Sequence, residues 1–132
     1  MQYRARVLGG SNMDKVIFAV DDCDMSLTVV EYALGVKYTV YTIDSINQMF
    51  KLLERIIPDL ILLDLYMPEM TCKDVMERLK SHETHAGIPV IIMSGTHTPE
   101  TITECIDMGA VHFIPKPVLD PVVFSDQVKK YL

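Results

Sequence analysis

The sequence has 132 residues, enough for one domain with little room for a second. Hydrophobic residues make up 49% of the chain, which supports a sizeable core, and a net charge of −6 argues against direct nucleic-acid binding through a basic face. The three cysteines lack C-x-x-C spacing and no apolar run is long enough for a membrane span, so we expect a reducing, cytoplasmic setting without disulfides, zinc or membrane insertion.

The beginning of the chain shows no hydrophobic periodicity and contains Gly9 and Gly10. Arg4 and Arg6 are not followed by the apolar stretch of a secretory signal. We interpret residues 1–12 as a flexible leader, of the kind that an expression vector adds. The folded domain is then expected to comprise residues 13–132, with Met13 as its natural start.

From Lys15 onwards, short apolar runs with abrupt polar ends alternate with amphipathic stretches. Runs of this kind, rich in β-branched residues, are typical of buried parallel strands. Five units of strand and helix predict an α/β fold, with a parallel sheet covered by helices on both faces. The predicted strands are residues 16–20, 39–42, 60–63, 90–93 and 113–114.

The amphipathic stretches between these runs predict five helices. Asp24 or Ser26 is expected to cap the first helix, and Asp44 or Ser45 the second, which should end at Pro58. The apolar stripe of the second helix consists of Ile46, Met49, Phe50, Leu53 and Ile57. The other helices are predicted near residues 74–80, 99–108 and from 120 onwards, and the inward face of 99–108 consists of Ile102, Cys105 and Ile106.

Polar side chains follow four of the five predicted strands. Asp21 and Asp22 follow the first strand, Asp64 the third, Ser94 the fourth and Lys116 the fifth. The carboxyl ends of parallel strands share one edge of an open sheet, and ligands bind there. The sequence therefore predicts three carboxylates, a hydroxyl and an ammonium in one place.

Three ionised carboxylates in one site need compensation. Each pair at about 4 Å repels by roughly 4 kcal/mol at an effective dielectric constant near 20. A hard cation with oxygen ligands offsets this repulsion, and Mg²⁺ is the natural choice beside a phosphate. An ionised Asp64 beside Mg²⁺ could attack a phosphoryl donor and form an aspartyl phosphate, while Lys116 and Ser94 hold the phosphoryl oxygens.

Four segments, VIFAVDD, LILLDLYMPEM, PVIIMSG and GAVHFIPKP, occur in this order from about residue 15 to the end of the chain. With them the sequence resembles the response regulator receiver family of two-component signalling. The resemblance implies a flavodoxin-like (βα)5 fold, a doubly wound five-stranded parallel sheet with the strand order 2-1-3-4-5. It also implies that Mg²⁺, or Mn²⁺ in its place, is the cofactor.

The resemblance also implies roles for individual residues. Asp64 corresponds to the phosphoacceptor, Asp22 to the direct metal ligand and Asp21 to a second acidic position that often acts through water. Tyr66 stands where a backbone carbonyl completes the metal site. The switch hydroxyl, the switch aromatic and the phosphate-pairing lysine, which precedes a cis proline in the family, correspond to Ser94, Phe113 and Lys116.

By the same resemblance, a histidine kinase or phosphotransfer protein donates the phosphoryl group. The domain catalyses its own phosphorylation and dephosphorylation and is not a turnover enzyme. Phosphorylation is expected to change the surface of the fourth helix, fifth strand and fifth helix and so control an unknown partner or output domain. The resemblance implies either a monomer or a phosphorylation-dependent homodimer.

Two positions depart from the family pattern. Thr71 and Cys72 replace the usual Asp-Gly, and Cys72 adopts positive φ less readily than glycine, so this loop is expected to differ in shape. Tyr66 is large for its position, and we expect its side chain to point toward the phosphoryl group and hinder the hydrolytic water.

Other interpretations stay open at this stage. A haloacid-dehalogenase-type phosphatase also forms an aspartyl phosphate, but it requires a second Asp where Tyr66 stands. A non-phosphorylated interaction module on the same fold would not need the complete set of acids, hydroxyl and lysine. Phe113 could be a plain core residue, Ser94 an ordinary turn residue and His97 part of a solvated loop.

Overall fold

The computed structural model describes the backbone of residues 3–6 and the whole of residues 15–132. The five predicted strand–helix units are all present. The strands are β1 (Tyr3–Arg6), β2 (Val16–Val20), β3 (Thr39–Ile43), β4 (Leu60–Asp64), β5 (Val90–Ser94) and β6 (His112–Pro115). The helices are α1 (Asp24–Leu34), α2 (Ile46–Leu53), α3 (Cys72–Ser81), α4 (Pro99–Asp107) and α5 (Pro121–Lys129).

The strands form one sheet in the order β1-β3-β2-β4-β5-β6. The five strands from β2 to β6 are parallel, so the predicted order 2-1-3-4-5 is confirmed. β1 pairs antiparallel with β3 at the edge of the sheet, and no strand was expected in that part of the predicted leader. Residues 1–2 and 7–14 lie outside the described residues, so the flexibility of the leader and the domain boundary at Met13 stay predictions.

The core lies on both faces of this sheet. On one face, α2, α3 and α4 cover Phe18, Ile61 and Ile92; on the other, α1 and α5 cover Ile17 and Leu62. Neighbouring residues of a strand point to opposite faces, so a strand that is buried on both sides must be apolar throughout. Within residues 3–6 and 15–132, no helix combines the length and apolar character needed to cross a bilayer.

The structure corrects two predicted helix ends. Cys23 is the N-cap of α1 and makes no capping hydrogen bond with its side chain, while Asp24 and Ser26 lie inside the helix, so neither caps it. Asp24 instead places its carboxylate in the first turn, where the helix dipole favours it. α2 begins after Ser45, as one alternative predicted, but it ends at Leu53 and not at Pro58. A proline disfavours the helical conformation at the residue before it, so Pro58 keeps Ile57 out of the helix.

The predicted inward face of α4 is correct only in part. Cys105 is fully buried and Ile102 packs against the core, but Ile106 is 45% exposed. Ile106 follows Cys105 directly and therefore points about 100° away around the helix. The helix ends before Gly109, whose φ of +106° is a conformation that glycine adopts at little cost.

Leu34 tests how much the α1 face of the core contributes to stability. Its side chain is fully buried on the sheet, so Leu34→Ala should lower the free energy of unfolding by about 2–5 kcal/mol. Met25→Ala on the same helix removes an exposed side chain and should change the free energy of unfolding by less than about 0.5 kcal/mol. Urea denaturation of the two variants measures the difference, and equal losses would contradict this packing.

Candidate functional site

Three carboxylates converge at the carboxyl edge of the sheet. Asp21 and Asp22 directly follow β2, and Asp64 ends β4, the strand paired with β2. One carboxylate oxygen from each residue lies within 4.8 Å of the others, a spacing at which the three could hold a metal ion. Asp21 and Asp64 are buried, whereas Asp22 is exposed, so the cluster opens to solvent on one side.

Lys116 places its ammonium group against two of these carboxylates. It lies directly after β6, and its Nζ is 2.8 Å from Asp21 Oδ2 and 3.0 Å from Asp64 Oδ1. Nζ also contacts Ser26 Oγ at 3.5 Å, and the Lys116 amide donates to the Ser94 carbonyl at 2.8 Å. The Lys116–Pro117 bond is cis, as the resemblance implied. The ammonium thus links the ends of β2, β4 and β6.

The electrostatics of Asp64 are unfavourable to its ionised form. Burial raises the pKa of Asp64 above its ordinary value, and the charges of Asp21 and Asp22 raise it further. The hydrogen bond and charge of Lys116 act in the opposite direction without offsetting these effects. Burial alone would lower the pKa of Lys116, but its two carboxylate partners outweigh burial and raise it, so the ammonium stays charged.

The second carboxylate in this network, Asp21, has both oxygens engaged. Oδ1 accepts a hydrogen bond from the Cys23 amide at 3.0 Å, and Oδ2 accepts from Lys116. The Asp21 amide donates to the Ile43 carbonyl at 3.0 Å, which ties the end of β2 to β3. Asp21 is therefore held from three sides, while Asp22 is free to face solvent.

Ser94, whose carbonyl accepts from the Lys116 amide, and Phe113, in β6, have defined conformations. Ser94 is buried at the end of β5, where its hydroxyl donates to the Thr96 carbonyl at 2.7 Å and accepts from the Thr96 amide at 3.1 Å. Phe113 is buried in the core, and the His97 ring tilts over it at a centroid distance of 5.1 Å. His97 therefore contacts the predicted switch aromatic, a contact that no sequence pattern indicated.

The loop between β4 and α3 accommodates both departures from the family pattern. Thr71 caps α3 by accepting a hydrogen bond from the Asp74 amide at 3.1 Å, and Cys72 is the first residue of that helix. Among the described residues, positive φ occurs only at Gly109, so this loop does not require glycine. Cys72 is buried, and burial is the main reason that its pKa rises to about 12, which keeps the thiol protonated.

Tyr66 projects from the same loop. Its side chain is 60% exposed and, together with Asp22, lines a groove of about 1160 Å³ beside the carboxylates. Its backbone forms an isolated antiparallel bridge with Thr71, which closes the loop at its base. Tyr66 and Asp22, one of the three carboxylates, therefore line the same groove.

The family model described as the response regulator receiver domain matches residues 17–128. The chain belongs to the response regulator receiver family. This receiver domain is 37% identical over 105 residues to the two-component response regulator ORR3 of Oryza sativa, covering 77% of this chain and 79% of ORR3. Both the predicted family and the predicted receiver function are confirmed.

Solved structures agree with this assignment. A response regulator from Desulfuromonas acetoxidans is 27% identical, with a TM-score of 0.80 and coverage of 88% of this chain and 94% of that chain. The receiver domain of a histidine kinase from Syntrophus aciditrophicus is 28% identical, with a TM-score of 0.78 and coverage of 89% of each chain. These matches support the receiver family. They give no support to a haloacid-dehalogenase-type phosphatase or to a non-phosphorylated interaction module.

The raised pKa of Asp64 predicts a pH-dependent effect on the stability of the receiver domain. The unfolded chain ionises this carboxyl more easily than the folded chain, so ionisation opposes folding above the ordinary carboxyl pKa. In metal-free buffer, Asp64→Asn should therefore be more stable than the wild type at about pH 7. The difference should vanish as the pH falls through the raised pKa toward about 3.5, where both states are protonated.

Urea denaturation at both pH values measures this effect. Asp126→Asn, which changes an exposed acid on α5, is the control and should alter stability little at either pH. A variant Asp64→Asn that is less stable than the wild type at neutral pH would contradict the prediction.

Proposed function

We propose that Asp64 is the phosphoacceptor of this receiver domain and that Asp21, Asp22 and Lys116 prepare it for phosphoryl transfer. The observation that supports this proposal most is the Lys116 ammonium, which lies 2.8–3.0 Å from Asp21 and Asp64 in a cluster of three carboxylates. The three carboxylates carry three negative charges and the Lys116 ammonium carries one positive charge, so two negative charges remain without a counter-charge. A dication in the cluster would remove that deficit.

Asp64, at the end of β4, is proposed to act as the nucleophile. Lys116 engages Oδ1, which leaves Oδ2 for attack on phosphorus. In the transfer, a bond forms between Oδ2 and phosphorus, and the bond between phosphorus and the histidine nitrogen of the donor breaks. The nitrogen keeps the electron pair of that bond, and the donor leaves as neutral imidazole because its other ring nitrogen carries a proton. Lys116 would donate hydrogen bonds to the phosphoryl oxygens as their charge develops.

The donor set of the site fits Mg²⁺ or Mn²⁺. Hard divalent cations take oxygen ligands, and three carboxylate oxygens meet here. Asp22, Asp64 and the Tyr66 backbone carbonyl would hold the ion directly, with Asp21 acting through water. A bound ion would neutralise charge on the phosphoryl oxygens. The exposure of Asp22 leaves the ion and its donor a way in from solvent.

Ser94 and Phe113 are proposed to transmit phosphorylation to the surface. To reach a phosphoryl oxygen on Asp64, the Ser94 hydroxyl would have to give up its two hydrogen bonds with Thr96. That change would alter the loop before α4, where His97 packs on Phe113. The loop therefore couples the modified carboxylate to the surface of α4, β6 and α5, which we propose as the output surface.

The family assignment implies a histidine kinase or phosphotransfer protein as donor. We propose that this receiver acts in the cytoplasm, as a monomer or a phosphorylation-dependent dimer, and controls a downstream protein or output domain. It uses its own nucleophile once per phosphorylation and regenerates it by hydrolysis. It is therefore a self-modifying switch and not a turnover enzyme.

Phosphorylation by acetyl phosphate tests the role of Asp64. In the presence of Mg²⁺, the wild type should gain the mass of one phosphoryl group, and hydroxylamine should remove it because an acyl phosphate is labile to nucleophiles. Asp64→Asn should gain none, whereas Asp24→Asn, which changes an exposed acid of α1, should be modified like the wild type. An adduct that persists in Asp64→Asn, or continuous turnover of phosphomonoesters, would contradict the proposal.

Tyr66 should slow the loss of the phosphoryl group. Its exposed side chain lines the groove that also contains Asp22, and we expect it to restrict the approach of the hydrolytic water. Tyr66→Asn should dephosphorylate at least about threefold faster, which corresponds to roughly 0.7 kcal/mol of barrier. Tyr32→Asn, which changes an exposed tyrosine of α1, should leave the rate unchanged. Equal rates of phosphate release from Tyr66→Asn and the wild type would show that the ring does not hinder water.

A further inference from the structure

We propose that Glu69 is a positioning residue that ties the loop between β4 and α3 to the start of α2 and thereby sets the affinity of the site for its divalent cation. This inference rests on the proposed function, because the loop carries the Tyr66 carbonyl. Glu69 is not among the three carboxylates that converge at the site. Its effect is therefore expected to pass through the position of the loop.

The Glu69 carboxylate makes three hydrogen bonds to the first turn of α2. Oε1 accepts from the Ile46 amide at 2.6 Å, and Oε2 accepts from Ser45 Oγ at 3.1 Å and from the Asn47 amide at 3.3 Å. The first amides of a helix have no partner within the helix, and the helix dipole favours a negative charge at this end. A residue from another part of the chain thus supplies acceptors that α2 lacks.

Ser45 completes this junction because its hydroxyl both accepts and donates a hydrogen bond. The oxygen accepts a hydrogen bond from the Gln48 amide at 3.1 Å while the proton is donated to Glu69. The N-cap of α2 is therefore shared between a local serine and a distant glutamate, 24 residues further along the chain. Both partners are needed to satisfy the amides of Ile46, Asn47 and Gln48.

The loop that carries Glu69 is held at two places. At its base, Tyr66 and Thr71 form a backbone bridge, and Thr71 caps α3. Near its tip, Glu69 connects it to α2, which packs on the sheet through buried residues such as Met49. Without Glu69 the loop keeps its base but loses its attachment to a rigid helix. The Tyr66–Thr71 bridge would then be the remaining attachment of the loop, so the Tyr66 carbonyl would be held less tightly before the cation binds.

Direct measurement of Mg²⁺ binding to the wild type and to Glu69 variants tests this inference. By isothermal titration calorimetry, Glu69→Ala should weaken Mg²⁺ binding about tenfold, as losses of residues that orient metal ligands commonly do. Glu69→Gln keeps one acceptor oxygen at the same reach but turns an NH2 group toward a donor of α2, so its affinity should lie between those of the wild type and Glu69→Ala. Glu69→Asp keeps the charge, but its side chain is one methylene shorter and no longer reaches the amides of α2, so this variant should behave like Glu69→Ala.

Two further measurements separate positioning from a general loss of stability. Asp120→Ala removes an acidic N-cap from α5 and should lower the melting temperature similarly without changing Mg²⁺ affinity. With acetyl phosphate as donor, Glu69→Ala should need more Mg²⁺ for half-maximal phosphorylation yet approach the wild-type rate at saturating Mg²⁺.

The outcomes distinguish this inference from the proposed function. Unchanged Mg²⁺ affinity in Glu69→Ala, or an affinity that follows charge so that Glu69→Asp is normal and Glu69→Gln is weak, would overturn the positioning role. A wild type that binds Mg²⁺ but is not phosphorylated would contradict the proposed role of Asp64, while the calorimetric comparison would still decide the role of Glu69. A wild type that binds no Mg²⁺ would overturn both.

Discussion

The site of this receiver domain depends on one electrostatic imbalance. Three carboxylates share a space in which oxygens from each lie within 4.8 Å of one another, and one ammonium group faces two of them. The ammonium ties Asp21 and Asp64 together but leaves Asp64 with a raised pKa. Folding holds this arrangement in place although it is unfavourable to the ionised form of Asp64. The proposed function follows from that unmet need for positive charge.

The sheet holds the three carboxylates and the single ammonium group together. The sheet contains β2, β4, β5 and β6 side by side and parallel. Their last residues therefore meet at one edge even though the charged side chains there repel one another. Apolar side chains on both faces hold each strand in register, since a shift by one residue would turn the strand's side chains to the wrong face. Packing of the core thus supplies the free energy that keeps like charges together, and helices such as α1 contribute to the site chiefly through the apolar residues that they bury on the sheet.

The sequence was sufficient to predict features that depend on strand ends and apolar patterns. Asp22, Asp64 and Lys116 could be placed together because each follows a recognisable apolar run, and the strand order followed from the family resemblance. Features that depend on tertiary contacts could not be predicted. The His97 ring over Phe113 and the Glu69 bridge to α2 each join segments whose contact is not encoded in local spacing. The early end of α2 was missed because Ile57 fits the helical period although Pro58 disfavours its helical conformation.

The central claim is that the carboxylate cluster carries a deficit of two positive charges that one divalent cation fills. The most direct test is a calorimetric titration of the unphosphorylated protein with Mg²⁺, compared with the same titration of Asp22→Asn. The account predicts one Mg²⁺ bound per chain and at least about tenfold weaker binding in the variant, equivalent to roughly 1.4 kcal/mol. Absence of Mg²⁺ binding by the wild type, or equal affinity in the two proteins, would contradict it.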